Sequence, residues 1–480
     1  MPPFRRLALL FLAPIILHLG GCSSSTSPDH TDPPAPPPVG WADWEQDIDT
    51  TGGATFHLDP AAGDLDNPGT AEAPLPGLAA VLEADLVQRW EPVTHPYVEG
   101  EPLELANPEA PIAPGDLLVL HDGDHGRAVL VDAHNPDFLT LRAAPGATPV
   151  LQRLELVGVE RLILEGLVIR GEKSEELGGT LLAITSHGWR GPCRYISVRD
   201  CRLESATEIT GWTDADWNAR AATAVTAGGD YLALHRNTAR NVNHGLMMSG
   251  DCIVVRENLV ENFCGDGLRG LGNDQIFEFN TVRNCYDVND NHDDGFQSFS
   301  VNGAPPCERI VLRGNVIIGY TDPEQPYRGT LQGIGCFDGF YIDWVVENNL
   351  VATDHWHGIT FLGADGCRIV NNTVVDLNDS SPGPPWIMIE EHKDGRDSRD
   401  CLIRNNIARS ITAGAGVAAD HNLETADLAA VFVDPAGLDF RLREGSPAID
   451  AGAAELAPAR DIVGEVRPRG EGVDLGAYER

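Results

Sequence analysis

The chain has 480 residues, with 72 Asp and Glu against 34 Lys and Arg, a formal net charge of −38. That charge is spread along the sequence rather than held in a tail, which argues against nucleic acid as a partner. A hydrophobic content of 42% is enough for a core, and 51 glycines favour a fold rich in turns.

Residues 1–22 read as a targeting segment. Arg5 and Arg6 precede an apolar run, Leu7 to Leu19, too short to span a bilayer. Residues 23–50 open with a Pro- and Ser-rich tether, extended and semi-rigid. Residues 51–150 begin the fold: ATFHL as a strand, a polar loop DPAAGDLDNPGT, APLPGLAAVLEA as a helix, then LLVL and FLTLR as strands. Asp59, Asp64 and Asp66 in the loop suit either a cation or a turn held by Asx hydrogen bonds.

From Leu151 short Val/Ile/Leu runs repeat. Between Leu232 and Asn406 they end in Asn237, Asn258, Asn280, Asn315, Asn349, Asn372 and Asn406. A base step near 22 residues recurs, and some steps carry about a dozen more, as in a stacked solenoid with insertions. Asn suits a tight turn because it tolerates the left-handed region, and stacked amides can bond from coil to coil. A second column follows in phase: His244-Gly245, Asp266-Gly267, Asp294-Gly295, Gln332-Gly333 and His357-Gly358, each before an apolar residue. The insertions, about 289–293, 323–331 and 379–384, therefore fall at one corner and build a wall on one face, where solenoids commonly bind ligands.

Candidate site residues gather on that wall. Asp287-Val-Asn-Asp290-Asn-His-Asp293-Asp294 places oxygen ligands as a calcium loop does, with Asp266 one coil below. It is not an EF-hand, because His292 stands where Gly is required and Ser298 where Glu is. Arg269 and Gln297 sit in phase beside the Asp column; Tyr327, Arg328, His244, His357 and Lys393 complete the set. Lys is rare here, the other being Lys173. Trp212 and Trp217, in the excursion ITGWTDADWNARAAT, read either as a flat sugar platform or as packing for their loop. Nine cysteines besides Cys22, with no C-x-x-C, argue against a zinc site and predict mostly packed thiols with one or two disulfides.

Three stretches carry resemblances. Leu19-Gly20-Gly21-Cys22 resembles a bacterial lipobox, which implies lipidation at Cys22 and a place in the cell envelope, at the outer membrane or cell surface. The 51–150 pattern resembles the N-terminal cap of secreted right-handed parallel β-helix proteins, the polysaccharide lyases and C5-epimerases among them. The Asp-Asp-Gly coil resembles those of calcium-dependent pectate and alginate lyases. The fold expected is therefore all-β: a right-handed parallel β-helix over 151–425, with 426–480 as a C-terminal capping segment similar to those of other secreted β-helix proteins.

What the resemblance implies is a monomeric, lipid-anchored polysaccharide lyase acting on an acidic polymer. Ca2+ held by Asp266, Asp290, Asp293 and Asp294 would neutralise the uronate carboxylate. Arg269 or Lys393 would be the base, although a free Arg is a poor one, and His357 or Tyr327 the acid. Trp212, Trp217, Arg328, Gln297 and His244 would line the substrate. A C5-epimerase, a glycoside hydrolase using two of the Asp residues and a non-catalytic glycan-binding solenoid stay open as alternatives.

Overall fold

The computed structural model describes residues 41–48, 52–174, 177–300, 305–378 and 381–480. Cys22 and the tether up to residue 40 lie outside the described residues.

Each coil in the middle of the chain contains three short strands and three turns. One coil runs Leu246–Ser249, Ile253–Arg256, Leu259–Phe263; the next runs Leu268–Leu271, Gln275–Glu278, Thr281–Cys285. Every strand pairs in parallel with its counterpart one coil on: Leu246 with Leu268 and then Phe296, Val255 with Phe277 and then Leu312, Val260 with Val282 and then Ile317. The result is a parallel β-helix with three faces, filled by one continuous column of Leu, Ile, Val and Phe.

The asparagine ladder runs along the turn between the second and third faces. Asn237, Asn258, Asn280, Asn315, Asn349, Asn372 and Asn406 are all buried. In each, the backbone N–H and the side-chain Nδ2 both donate to the Oδ1 of the next Asn, at 2.8–3.1 Å for Asn237, Asn258, Asn280 and Asn315. Nδ2 also caps a backbone carbonyl, as Asn315 does with Phe277 at 2.8 Å. The left-handed residue is not the ladder Asn but the one before it: Arg236, Glu257, Phe279, Gly314, Asn348, Asn371 and Asn405 all have φ between 53° and 63°. The ladder Asn was kept for its amide, not for its backbone.

The glycine column has a steric cause. A Cβ on Gly245 would sit 2.8 Å from Val260 Cγ1, and one on Gly333 would sit 2.5 Å from Val351 Cγ1. A Cβ would also strike the carbonyl of the next glycine in the column, at 2.1 Å for both Gly245 and Gly333, so only a missing side chain lets the coils stack here with the β-branched residues of the third face filling the corner.

The ends are closed differently. Thr55–Leu58 pairs in parallel with Leu117–Leu120, and the helix Leu78–Glu83 buries Leu78 and Val81 over the first coils. Asp59 Oδ1 accepts from the N–H groups of Ala61 and Ala62, and Asp64 Oδ1 from Asp66, so this loop is a set of Asx turns. The tail does more than close an end. Val431, Phe432, Phe440, Leu442 and Leu475 pack on the outward side of the third face, against Ile318, Leu350, Val375 and Ile407. Asn348, Asn371 and Asn405 donate to its carbonyls.

The disulfide expectation is corrected. All nine described cysteines are buried thiols packed inside coils, and burial pushes the Cys193 thiol up to about 11.

Asn315→Ala strips the acceptor from two donors of Asn280 and removes two donors of its own. Leaving buried polar groups unsatisfied costs about 1–3 kcal/mol each. A fall in stability of that order is expected by thermal or urea denaturation, while Asn291→Ala on the exposed loop should leave the transition unchanged.

Candidate active site on the first face

The first face carries the wall and the unusual chemistry. Its strands Leu268–Leu271, Asp294–Phe299, Gln332–Asp338, His357–Leu362 and Trp386–Glu390 lie side by side. Alternation sends Leu268, Phe296, Ile334, Ile359 and Ile387 into the core, while Arg269, Gln297, Gly335, Thr360 and Met388 line the outside. The wall stands along the corner before them. It comprises the helix Asp214–Arg220 and loops 286–293 and 320–331, tied together by Asn218 donating to the Val288 carbonyl and Asp287 N–H donating to the Tyr327 carbonyl. Of the insertion at 379–384, residues 379 and 380 lie outside the described residues.

The acidic column is densely bonded. Asp266 is buried; its Oδ2 is ion-paired with Arg269 and its Oδ1 accepts from Asp294 N–H at 3.2 Å. Asp294 is fully buried, and its Oδ2 accepts from Gln297 at 2.9 Å and faces His292 Nδ1 at 3.2 Å. Asp293 Oδ2 meets the Cys285 thiol at 3.3 Å. Burial pushes the Asp293 carboxyl up to about 7, with the charges of Asp266, Asp287 and Asp294 adding to it. Burial also raises Asp294.

His292 is a functional candidate that the sequence reading passed over. It is two-thirds exposed on the loop, and its hydrogen bond to Asp294 raises its pKa. The two groups together hold a proton more tightly than either alone. Two further histidines, two coils along at the same corner, go the other way. Burial, then the charges of His357 and His292, take His355 down to about 4. Burial and Lys393 lower His357. His357 Nδ1 bonds Thr360 Oγ1 at 3.2 Å, and Trp386 Nε1 donates to the same oxygen at 3.0 Å. The face thus holds a proton-retaining His beside proton-shedding ones, a split by which environments assign acid and base roles.

Aromatic surface flanks these groups. Phe337 lies 4.6 Å from the His357 ring, Trp386 lies 5.4 Å from it, and Trp356 stacks on Trp386 at 6.5 Å. Trp356 is 43% exposed. In sequence it stands between His355 and His357.

Several expected roles are corrected. Trp212 and Trp217 are no sugar platform: both are buried, edge to face at 5.2 Å, with Trp217 against Tyr286 at 4.6 Å, packing the excursion onto the coil. Arg269 is no base, since its guanidinium is paired with Asp266 and lies over the Phe299 ring at 5.3 Å. Lys393 is ion-paired with Asp338 at 2.7 Å and its ammonium lies 6.0 Å over the Phe337 ring, so it borders the His357 group. Arg328 serves its own loop, donating to the Pro323 carbonyl at 2.6 Å and lying over Tyr320 at 4.6 Å. Tyr327 is exposed on the wall with φ +51°. His244 Nδ1 accepts from Asp266 N–H at 2.8 Å, a structural bond. Gln297 reaches the face but is held by Asp294.

The donor set for calcium does not fit. Calcium takes six to eight oxygens, roughly, with carboxylates free to turn toward it. Here Arg269 occupies the Asp266 carboxylate, and Asp290 lies on the exposed part of the loop. Among the described residues, no three His, Cys, Asp or Glu side chains form a group that could hold a metal.

No protein-family model matches this chain, and no curated protein matches it. Solved structures resemble it in fold. The pectate lyase Pel9A is 15% identical with a TM-score of 0.47, over 91% of this chain and 100% of that one. A rhamnogalacturonan lyase is 15% identical with a TM-score of 0.39, over 79% and 91%. The A-module of the Azotobacter vinelandii mannuronan C-5 epimerase AlgE4 is 12% identical with a TM-score of 0.33, over 64% and 83%. At these values the likeness assigns no chemistry to this chain.

Trp217→Ala empties a fully buried site, for which large-to-small changes cost about 3–5 kcal/mol. A loss of that order is expected on denaturation, whereas an exposed sugar platform would leave the transition in place.

Proposed function

We propose that this protein is a carbohydrate-active enzyme that cleaves a uronate-containing polysaccharide by β-elimination on the first face. One observation carries the reading: His292 and His357, on the same face, are pushed to opposite sides of the usual histidine pKa. Elimination needs a neutral base to take the C5 proton and an acid to meet the departing C4 oxygen. In the tautomer that donates Nδ1–H to Thr360, His357 offers its Nε2 lone pair as that base. The C5–H electrons form the C4–C5 double bond, the C4–O bond breaks, and His292, backed by Asp294, protonates the leaving oxygen. Arg269 supplies a fixed positive charge for the uronate carboxylate as the enolate-like charge develops. Trp356, Trp386 and Phe337 offer flat apolar rings to the sugars. A C5-epimerase would use the same groups and return the proton to the other side of the ring. An exported, Cys22-anchored protein is part of this proposal, and it rests on residues 1–39 of the sequence alone.

Glycoside hydrolysis is the second reading, favoured by one feature. Asp266 and Asp294 lie on successive coils, one ion-paired and the other raised by burial, the division of labour of a carboxylate and a carboxylic acid.

Purified protein lacking residues 1–39 is expected to raise the ultraviolet absorbance of an unsaturated uronate on one polymer of a panel of alginate, pectate, rhamnogalacturonan, chondroitin and ulvan. EDTA should not abolish that activity. New reducing ends without the absorbance would establish hydrolysis instead. Neither signal on any polymer, with no altered uronate in the product, would remove both readings and the epimerase with them.

The pH dependence follows from the two histidines. His357, lowered, must be neutral, so kcat/KM falls on the acid side below the usual histidine value. His292, raised, must be protonated, so the rate falls on the alkaline side above it. The profile is expected to be a bell across neutrality. His357→Ala should lower kcat by about 10²–10⁴-fold, and His292→Ala should remove the alkaline limb. An unchanged profile in both variants would take these residues out of the scheme.

A further inference from the structure

Two tryptophans are exposed among the described residues: Trp356, at the site above, and Trp189, at 53%. Trp189 lies in the turn 186–193, which joins Thr180–Thr185 to Arg194–Arg199 at the corner between the first and second faces. It touches none of the groups of the candidate active site and fills no core.

The indole is held out, not left loose. Trp189 N–H donates to His187 Nδ1 at 3.2 Å, and the Trp189 carbonyl accepts from Tyr97 N–H at 3.1 Å and from His95 Nδ1 at 3.0 Å. His187 and Gly191 exchange two backbone bonds of 2.8 and 2.7 Å, and the Arg190 carbonyl accepts from His134 Nε2 at 2.8 Å. The His95 ring lies against the indole, 5.4 Å away and 5° from parallel. One broad side of the indole is therefore backed by a second ring. With more than half of the residue still exposed, the other broad side faces solvent. The ordering that a ligand would otherwise impose is already done by the fold.

The surroundings are polar. Arg190 is ion-paired with Asp132, Arg194 with Glu99 at 2.9 Å, and Tyr97 Oη donates to Glu99 at 3.3 Å. A guanidinium has five N–H donors, so each of these pairs keeps donors for a further acceptor. An indole presents at most about 250 Å², well short of the roughly 800 Å² that a stable protein partner covers on each side. It matches one sugar ring, whose C–H side stacks on an aromatic face while its hydroxyls meet polar neighbours.

We infer that Trp189, backed by His95, is a second carbohydrate site, a stacking plate that holds a distant part of the same polysaccharide chain. This rests on the carbohydrate-active reading above and extends it along the first face. Thr180–Thr185 is a strand of that face, and four parallel pairings carry it to Asp294–Phe299. Ala183, Thr226 and Met247 continue the outward column from Arg269 to this strand without a charge. Four rungs of about 4.8 Å separate the plate's coil from Asp294, so only a chain of several sugars reaches both.

The test compares wild type, Trp189→Ala and Trp189→Phe by calorimetry and steady-state kinetics, with melting curves for each. The ligands are long chains, and oligosaccharides too short to span four rungs, from whichever panel polymer the wild type acts on or binds. Trp189→Ala is expected to melt as wild type does and to lose about tenfold in affinity and in KM for long chains. Its kcat and its affinity for short chains should stay unchanged, and Trp189→Phe should recover most of the loss. Unchanged affinity for long chains in Trp189→Ala, with wild type still active, overturns the plate alone, as does an equal loss on short and long chains. Should Trp189→Ala melt early, Trp189→Leu, which keeps apolar bulk without a flat ring, decides by the same comparison. Wild type that neither turns over nor binds any polymer overturns the carbohydrate-active reading and the plate together.

Discussion

The asparagine ladder is the constraint on which the other features of this protein depend. A three-faced solenoid must turn its backbone at three corners per coil, and each turn buries polar groups that the sheets do not pair. At the corner between the second and third faces each Asn answers this twice, accepting two bonds from the coil before and donating two to the coil after. Because the bonds run from coil to coil, they fix the register of stacking as well as the shape of the turn. Coils of 21 to 35 residues are thereby held in phase, and extra length emerges at the other two corners: before Asp294 and Gln332, and again between Phe299 and Val311 and between Glu390 and Cys401.

That displacement explains where the site lies. The glycine column lines the corner between the third and first faces, and insertions emerge there as the wall. The first face is then a row of parallel strands bordered by these loops. Residues more than 90 apart in sequence, such as Asp266 and His357, come within a few rungs of one another, at roughly 4.8 Å per rung. The opposite flank is closed to such chemistry, since the tail packs over the third face and is tied to Asn348, Asn371 and Asn405.

The electrostatics of the face follow from burial in an acidic protein. With 72 acidic residues, carboxylates on neighbouring coils raise one another unless a cation intervenes. Arg269 is ion-paired with Asp266, whereas Asp294 stays raised by burial even with His292 facing it at 3.2 Å. Asp293 has the Cys285 thiol instead and is pushed up to about 7. A calcium ion would be another answer to the same problem, and the short Asp-rich motif pointed to it. The arginine and histidine already in place are why the donor set does not suit one.

The sequence by itself determined the β-helix, its period and one of the two corners that carry insertions, the other being the turn between the first and second faces at 300–310 and 391–400. These are repeating features, and repetition with a period is visible without coordinates because each coil solves the same packing problem as the last. It also indicated the residues of the acidic column, since Asp266, Asp294, Gln332 and His357 share a phase. What only the tertiary structure decided was how each side chain is engaged. Trp212 and Trp217 turned inward because their loop packs onto the coil, and the Asp294 carboxyl came to occupy the place where a Gly335 side chain would stand. These contacts join segments whose separation in sequence depends on the loops between them, and no local pattern encodes them. The same reason hid His292: its role comes from the buried Asp294 behind it, and burial is a property of the stacked coils rather than of the motif.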